Sequence, residues 1–282
     1  MMASLREIKE RINSVKSTLQ ITSAMKLLSS AKLHKVSTMI EPLKAYETEL
    51  EKMLRVVGSS NIETPIKSAS AKPCVVAFSS NTSLCGGFNA NIIKKTHEVL
   101  SLSGKDTACY FIGKKISDAM SKEGFHSIKQ LDSLIEHPDC KIAYNLADEL
   151  INGFTAGTFS SVKLVYNHFL STSKQIPTVE DYLPIDILHE KTDTEDNVED
   201  LFILEPDINF IRTSLISELM HLRLYEVLLD SCLSEHSART VAMQTATDNG
   251  QSMLDDLTLE YNKGRQAKIT SEILDLAGGA QQ

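Results

Sequence analysis

Two long segments, one toward each end of the chain, repeat apolar residues every 3.5 positions. Alternating steps of three and four from Leu5 reach sixteen positions up to Val57, and twelve of these are apolar. The same steps from Ile208 reach eight positions up to Cys232, and seven of these are apolar. Only this period keeps one face of a helix against a partner helix over such a length. We therefore expect two long helices that pair antiparallel, because a folded segment joins them.

The first helix is expected over residues 3–57, a length of about 80 Å at 1.5 Å per residue. Ser4, with Glu7 three residues later, has the spacing of a capping box. Pro42 lies inside the repeat and predicts a bend, because proline removes one helical hydrogen bond.

The second helix is expected from Ile208 onward. If both helices leave the joining segment at the same level, Val57 lies beside Ile208 and paired residue numbers sum to about 265. Leu5 then lies near Glu260, and residues 261–277 project as a single helix over roughly 25 Å.

The first repeat is interrupted by polar residues between Thr22 and Ser29. If paired residue numbers sum to 265, Lys26 faces Arg239, and two cations that face each other at a helix seam repel. The repulsion is relieved if an acidic group from outside the pair lies between them, or if both side chains point outward to a partner protein. Alternatively, the polar break serves only to fix the register of the pair.

Between the long helices, short apolar runs alternate with helical patterns, which is typical of an α/β domain with a mostly parallel, Rossmann-like sheet. The expected strands are Cys74–Phe78, Thr107–Ile112 and Ser161–Phe169, and the expected helices are 90–102, 114–123 and 140–152. An acidic stretch, 178–207, is expected to be irregular or an edge strand. The domains predicted are the N-terminal coiled-coil helix 1–60, the central α/β domain 61–206 and the C-terminal coiled-coil helix with a projecting tip 207–282.

Composition argues against several classes of function. The five cysteines include no C-x-x-C pair, and the eight histidines have no metal-ligand spacing, so we expect reduced thiols, no metal and no cofactor. No apolar run reaches the roughly 18 residues of a membrane span. Residues 1–40 hold seven bases and two acids, which raises nucleic-acid binding as a hypothesis. No aromatic residues interleave with these bases to stack on nucleotides, so a solvated helix face is the simpler interpretation.

A glycine-containing loop, L-C-G-G-F-N, follows the first predicted strand, at the place where phosphate-binding loops occur in α/β proteins. Its spacing matches neither G-x-G-x-x-G nor G-x-x-x-x-G-K-[ST]. A tight turn or a protein contact is favoured over a nucleotide site, and Cys85 has no base near it in sequence that would make it a nucleophile. The residues of this loop are Leu84, Cys85, Gly86, Gly87, Phe88 and Asn89.

Four motifs follow one another along the chain: I-T-S-A-M-K-L-L-S-S-A-K-L at 21–33, S-L-C-G-G-F-N at 83–89, S-A-R-T-V-A-M-Q-T-A-T-D-N at 237–249 and Y-N-K-G-R-Q-A-K-I-T-S-E-I at 261–273. In this order, and over essentially the whole chain, they resemble the gamma subunit family of the F-type, rotary ATP synthases. The family usually carries D-R-G before L-C-G-G, where this chain has Asn81, Thr82 and Ser83. This departure leaves open what charged loop residues contribute.

The resemblance implies a central rotor stalk, without catalytic residues or a substrate of its own, that couples rotation of a membrane ring to conformational change at catalytic sites on beta subunits. The implied partners are three alpha and three beta subunits, an epsilon subunit and the membrane c-ring, with no nucleic acid. The α/β domain is expected to contact the epsilon subunit and the ring. By the same resemblance, the positions expected to contact the alpha–beta hexamer are Met25, Lys26, Arg239, Gln266 and Thr270.

The N-terminus lacks an apolar signal core, and the chain lacks the cysteine-pair insertion of redox-regulated plastid relatives. We therefore expect a peripheral protein on the cytoplasmic side of a bacterial inner membrane.

Two alternatives to the rotor stay open: a nucleotide-binding α/β domain on a coiled-coil arm, and a basic coiled coil that binds nucleic acid.

Overall fold

The computed structural model describes residues 4–57, 71–104, 106–184, 205 and 207–279. The described part of the chain divides into two units. The two-helix unit comprises residues 1–30 and 239–282, and the sheet unit comprises residues 31–238. Residues 61–70, at the start of the predicted central domain, and most of the acidic stretch 178–207 lie outside the described residues.

Two long helices contribute to both units: α1, Leu5–Val57, and α6, Ile208–Gly279. In α1, all sixteen positions predicted for the seam are buried or half-buried, and most other positions are exposed. The 3.5-residue repeat therefore identified the packed face of α1 without error. The helix continues through Pro42 and the seam reaches Val57, as the repeat predicts, whereas the bend expected at Pro42 stays a prediction.

A capping box begins α1. The backbone N–H of Ser4 donates to Oε2 of Glu7 at 2.9 Å, and the N–H of Glu7 donates to Oγ of Ser4 at 3.3 Å. These two bonds satisfy donors that the first turn of a helix leaves without an intrahelical partner. The predicted helix start is confirmed.

The sheet unit contains a four-stranded sheet with strand order β2-β1-β3-β4. β1 pairs in parallel with β2 and β3, and β4 is an edge strand antiparallel to β3. The mostly parallel α/β fold is thus confirmed. The start of the acidic stretch 178–207 belongs to β4, so it forms the expected edge strand and is not irregular there. The strands are β1 Lys72–Phe78, β2 Ala108–Ile112, β3 Phe159–Ser171 and β4 Lys174–Leu183.

Helices cover both faces of the sheet, because successive side chains of a strand point to opposite faces. Val75 and Ala77 of β1 face a core built with α2 and α3, whereas Cys74, Val76 and Phe78 face a larger core built with α4, α5 and parts of both long helices. The short helix α4 was not predicted. The helices are α2 Phe88–Ser103, α3 Lys114–Ser121, α4 Asp132–Glu136 and α5 Cys140–Thr155.

Candidate functional site

The two-helix unit pairs α1 and α6 in a register one helical turn away from the predicted one. Thr247 donates a hydrogen bond to Thr22 at 2.9 Å between hydroxyl oxygens. A Cβ placed on Gly250 would lie 2.8 Å from Cδ2 of Leu19, so glycine is what allows this close approach. These pairs sum to 269 rather than 265. Leu5 accordingly lies against Gly264 and not near Glu260.

The reason for the difference lies in the sheet unit. There Nη2 of Arg212 donates to the carbonyl oxygen of Val57 at 2.9 Å, so Arg212 and not Ile208 stands level with the end of α1. Ile208 is exposed, because the first turn of α6 precedes the point where the two helices meet. The assumption that both helices begin at the same level was therefore wrong by one turn.

The polar break in the seam is bridged by hydrogen bonds within the two-helix unit. Nζ of Lys26 donates to Oε1 of Gln244 at 2.9 Å, and Nε2 of Gln244 donates to Oδ1 of Asp248 at 2.7 Å. Lys26 therefore does not face Arg239, and the predicted repulsion between the two cations does not arise. Arg239 is only 7% exposed, so its side chain does not point outward either.

The seam of α6 changes phase within the two-helix unit. The continued repeat predicts Met253 and Glu260 as packed positions, but both are exposed, and Leu254 and Tyr261 are half-buried in their place. Two consecutive steps of four, from Arg239 through Met243 to Thr247, shift the packed face. Two steps of four in succession amount to a four-residue insertion in the heptad pattern, which is called a stutter. A strict 3.5-residue repeat does not predict the packed positions beyond it.

The predicted contact positions are all in the two-helix unit but differ in exposure. Met25 and Lys26 are half-buried, Arg239 is buried, and Gln266 and Thr270 are exposed. The hydroxyl of Thr270 donates to the carbonyl oxygen of Gln266 at 2.9 Å, as the i, i+4 spacing on one helix face allows. A contact between these residues and another subunit stays a prediction.

The two-helix unit also exposes large apolar side chains that the sequence analysis did not single out. Ile21, Leu27 and Leu28 on α1 are 60–67% exposed. The sequence alone could have identified them, because they are large apolar residues at positions outside the heptad seam of α1. This many exposed large apolar side chains on one pair of helices is typical of a surface that another protein covers. The corresponding residues on α6 are Val241, Met253, Leu259, Ile269, Ile273 and Leu274.

Beyond Gly264, α6 continues to Gly279, a further roughly 22 Å of helix. Every residue of α6 between Arg265 and Leu274 is exposed. The single-helix extension predicted from the heptad arithmetic is thus present, and the corrected register moves its start from residue 261 to residue 265.

The glycine loop lies in the sheet unit, between β1 and α2. Leu84 has a positive φ of 68° and is 59% exposed, whereas Cys85 is buried against Phe88 and Ala238. Gly86 and Gly87 are exposed, and α2 begins at Phe88 rather than two residues later.

Asn89 holds this loop in shape. Its Oδ1 accepts from the backbone N–H of Ser80 at 3.2 Å, and its Nδ2 donates to Sγ of Cys85 at 3.1 Å. The polar groups of Asn89 are thus used within the loop itself. This favours the structural interpretation of the motif over a phosphate cradle.

Asn81, where the family motif usually has aspartate, joins three elements of the sheet unit. Its Nδ2 donates to the carbonyl oxygen of Asp132 and to Oε1 of Glu136, both at 2.8 Å, and its Oδ1 accepts from the N–H of Lys114 at 2.9 Å. An aspartate would turn two of these bonds into repulsions. The amide therefore suits a neighbouring glutamate within the chain.

Among the described residues, no group of three or more His, Cys, Asp or Glu side chains is arranged to hold a metal ion. Across the same residues, no helix has the length and hydropathy needed to cross a membrane.

The chain is similar to known proteins along its whole length. The model of the ATP synthase family matches residues 4–282. The ATP synthase gamma chains of Phocaeicola vulgatus and Bacteroides thetaiotaomicron are each 42% identical to it, over 99% of both chains in the first case and 100% in the second. A chain in a structure of the Euglena gracilis mitochondrial ATP synthase has the same fold, with a TM-score of 0.65 and 19% identity over 98% of this chain and 93% of that one.

Proposed function

The chain belongs to the ATP synthase gamma chain family and is a central-stalk subunit, and from this premise we propose that it is a non-catalytic rotor shaft. It transmits the rotation of a membrane ring to catalytic sites on surrounding subunits. Different faces of an asymmetric shaft stabilise different conformations of the subunits around it, so rotation changes the nucleotide affinity of each site in turn.

The observation that carries this proposal is the exposed apolar surface of the two-helix unit, above all Ile269, Ile273 and Leu274 on the single-helix extension of α6. A lone helix with apolar residues on its surface gains free energy by burying them against another protein. We infer that an alpha–beta hexamer forms the surrounding sleeve, in which Gln266 and Thr270 contact the stator.

The corrected register refines the roles of the other predicted contacts. Met25 and Lys26 are half-buried and keep some surface for the hexamer, whereas Arg239 is buried. A buried guanidinium has little surface of its own to offer another subunit, so it affects that subunit mainly by holding neighbouring side chains in position. We therefore propose that Arg239 supports this surface rather than touching the stator.

The remaining partners follow from the family. The sheet unit, with the exposed Leu84 at the tip of its glycine loop, binds an epsilon subunit and a c-ring, and the subunit lies on the cytoplasmic side of a bacterial inner membrane. The domain division at residues 60 and 206 also remains a proposal, because the described chain divides into units within the long helices.

The experiment compares two double variants of the full chain that differ only in which face of the extension they change. I269S/I273S removes two exposed apolar side chains, and K268S/E272S removes an exposed ion pair with a distance of 3.8 Å. Surface ion pairs contribute about 0–1 kcal/mol, so the second variant is the matched control. Each is mixed with alpha–beta hexamer to measure binding, and is assembled with the hexamer and the membrane sector in sealed vesicles to measure ATP-driven proton pumping.

We expect I269S/I273S to weaken binding at least tenfold and to lower the number of protons pumped per ATP, while the thermal unfolding of the free chain stays unchanged. K268S/E272S should behave like the wild type. Equal behaviour of the two variants, or micromolar ATP binding by the chain alone, would argue for the nucleotide-binding alternative or for another partner.

A further inference from the structure

A cluster of charged side chains lies inside the sheet unit, where α1, β3, β4 and α6 meet. We call it the Arg223 cluster. Its central members are Glu47 on α1, Glu180 on β4, and Arg223 and Glu226 on α6. It is remote in the sequence from the surfaces discussed above, and the proposed function assigns no role to it.

One guanidinium serves three carboxyl groups in this cluster. Nε and Nη2 of Arg223 donate to Oε1 and Oε2 of Glu180 at 2.7 and 2.9 Å, a bidentate pair. Nη1 of Arg223 donates to Oε2 of Glu226 at 2.5 Å and lies 3.7 Å from Oε1 of Glu47. Glu180 thus engages two of the three guanidinium nitrogens, and Glu47 and Glu226 both face the third.

The remaining two acids, Glu47 and Glu226, face the same nitrogen of Arg223, and carboxyl oxygens 3.7 and 2.5 Å from one atom cannot be more than about 6.2 Å apart. An ionised carboxylate only accepts hydrogen bonds, so a bond between two carboxyl groups requires that one of them hold a proton. Both side chains are largely removed from water, with 18% and 14% of their surface exposed. Keeping two adjacent, poorly solvated negative charges would be costly.

The surroundings of the pair add negative rather than positive charge. Glu51 follows one turn later on α1, and Asp230 lies one turn beyond Glu226 on α6. The imidazole of His168 on β3 lies 2.6 Å from Asp230, and the hydroxyl of Tyr166 donates to Glu180 at 2.9 Å. Each of these neighbouring donors is directed to another acid.

We propose that Glu47 and Glu226 share one proton at neutral pH, and that this shared proton makes the junction of α1, β4 and α6 tighter in acid than in alkali. The geometry supplies the site: one cation, three carboxyl groups and restricted access to water. A small cavity of about 40 Å³, lined in part by Glu226, Asp230 and His168, is large enough for a water molecule and offers a path for proton exchange.

Burial, and next the charge of Glu226, raise the pKa of Glu47 from its ordinary value of 4.5 to about 7, against the opposing effect of Arg223. The folded chain therefore binds this proton more tightly than the unfolded chain does. The contribution to stability is fully present below about pH 4.5, falls as the pH rises, and is lost above about pH 7. Between these limits we expect the folding equilibrium to lose roughly 10- to 100-fold through this site.

The test uses the full chain with ¹³C-labelled glutamate carboxyl groups, titrated by NMR from pH 4 to pH 9. We expect one glutamate resonance, that of Glu47, to titrate near pH 7 in the wild type. E47Q should abolish this late titration, and E226Q should shift the remaining one toward the ordinary range. E49Q is the matched control, because Glu49 lies two residues away on α1 and is 60% exposed.

A second measurement is the urea midpoint of each chain at pH 5 and pH 8. In the wild type and in E49Q, the pair should lower the urea midpoint at pH 8 relative to pH 5. In E47Q this difference between the two midpoints should be smaller. The proposal is overturned if every glutamate of the wild type titrates below about pH 5.5. It is equally overturned if the late titration persists in both E47Q and E226Q. The wild-type titration alone decides the question if a variant does not fold.

Discussion

Lys26 of α1 donates a hydrogen bond from Nζ to Oε1 of Gln244 of α6, over 2.9 Å, at the position where the heptad repeat of α1 is interrupted. The interruption is therefore a specific polar contact between the two helices. Together with the hydroxyl pair of Thr22 and Thr247, it sets which residues of α6 face which residues of α1. Several measurable consequences depend on this register.

A cysteine pair can report the register directly. T22C/T247C replaces two hydroxyl oxygens that lie 2.9 Å apart, and a disulfide needs Cβ atoms about 3.5–4.5 Å apart. We expect this pair to form a disulfide under mild oxidation at least tenfold faster than T22C/M243C, the pair that a register sum of 265 would bring together. Mass spectrometry of non-reduced peptides measures both. Faster closure of T22C/M243C would show that the helices pair one turn away.

Gly250 allows the close approach of α6 to Leu19. G250L places a side chain where a Cβ alone would come within 2.8 Å of a leucine methyl carbon, and overpacking of this kind costs about 1–3 kcal/mol. We expect G250L to destabilise the wild type but to stabilise the L19A variant, in which it fills the space left. Urea unfolding followed by circular dichroism gives the coupling energy of the cycle.

The matched control for that cycle is S252L, since Ser252 is exposed on the same helix. S252L should change the free energy of unfolding equally in both backgrounds. Additive effects of G250L and L19A would mean that the two side chains do not meet.

Asn81 and Glu136 form a matched pair, with Nδ2 of the amide donating to the carboxylate. N81D removes the two donated bonds and sets one carboxylate beside another, for an expected loss of about 1–3 kcal/mol in the free energy of unfolding. E136Q in the N81D background should restore most of this loss, because the glutamine amide can donate to the new aspartate. Chemical denaturation of the two single variants and the double variant tests this, and a double variant no more stable than N81D would contradict it.

The native thiols should differ sharply in reactivity. Cys74, Cys85, Cys109 and Cys232 are buried, whereas Cys140 is half-buried. Burial raises the pKa of the Cys109 thiol to about 11 and raises that of Cys74 as well, and the thiolate is the reactive form. We expect iodoacetamide at pH 8 to label Cys140 first in the native chain. Peptide mapping measures the order, and equal labelling of all five before unfolding would show that the sheet unit opens readily.

Much of the fold could be predicted because its signals are local. The seam of α1, the capping box of Ser4 and Glu7, and the three parallel strands all follow from residue types at fixed spacings along the chain. The short helix α4 was missed because five residues carry too little periodicity to distinguish a helix from a turn.

The candidate surface could be predicted only in part. Gln266 and Thr270 lie on the exposed extension of α6, as heptad arithmetic indicates, but Met253 and Glu260 were assigned to the packed face and are exposed. The phase change at Thr247 was missed because the repeat was continued in strict register, although Leu254, Leu257 and Tyr261 carry it on after one extra step of four.

The sequence by itself determined that two long helices flank an α/β domain, because a 3.5-residue hydrophobic repeat and short apolar runs are properties of neighbouring residues. Tertiary structure alone decided the register of those helices and the assembly of the Arg223 cluster. Glu47 and Glu226 are separated by most of the chain, and their meeting at one nitrogen of Arg223 follows from how the whole sheet unit packs. Contacts of that kind depend on the free energy of the complete fold, whereas a helix or strand pattern depends on the few residues that form it.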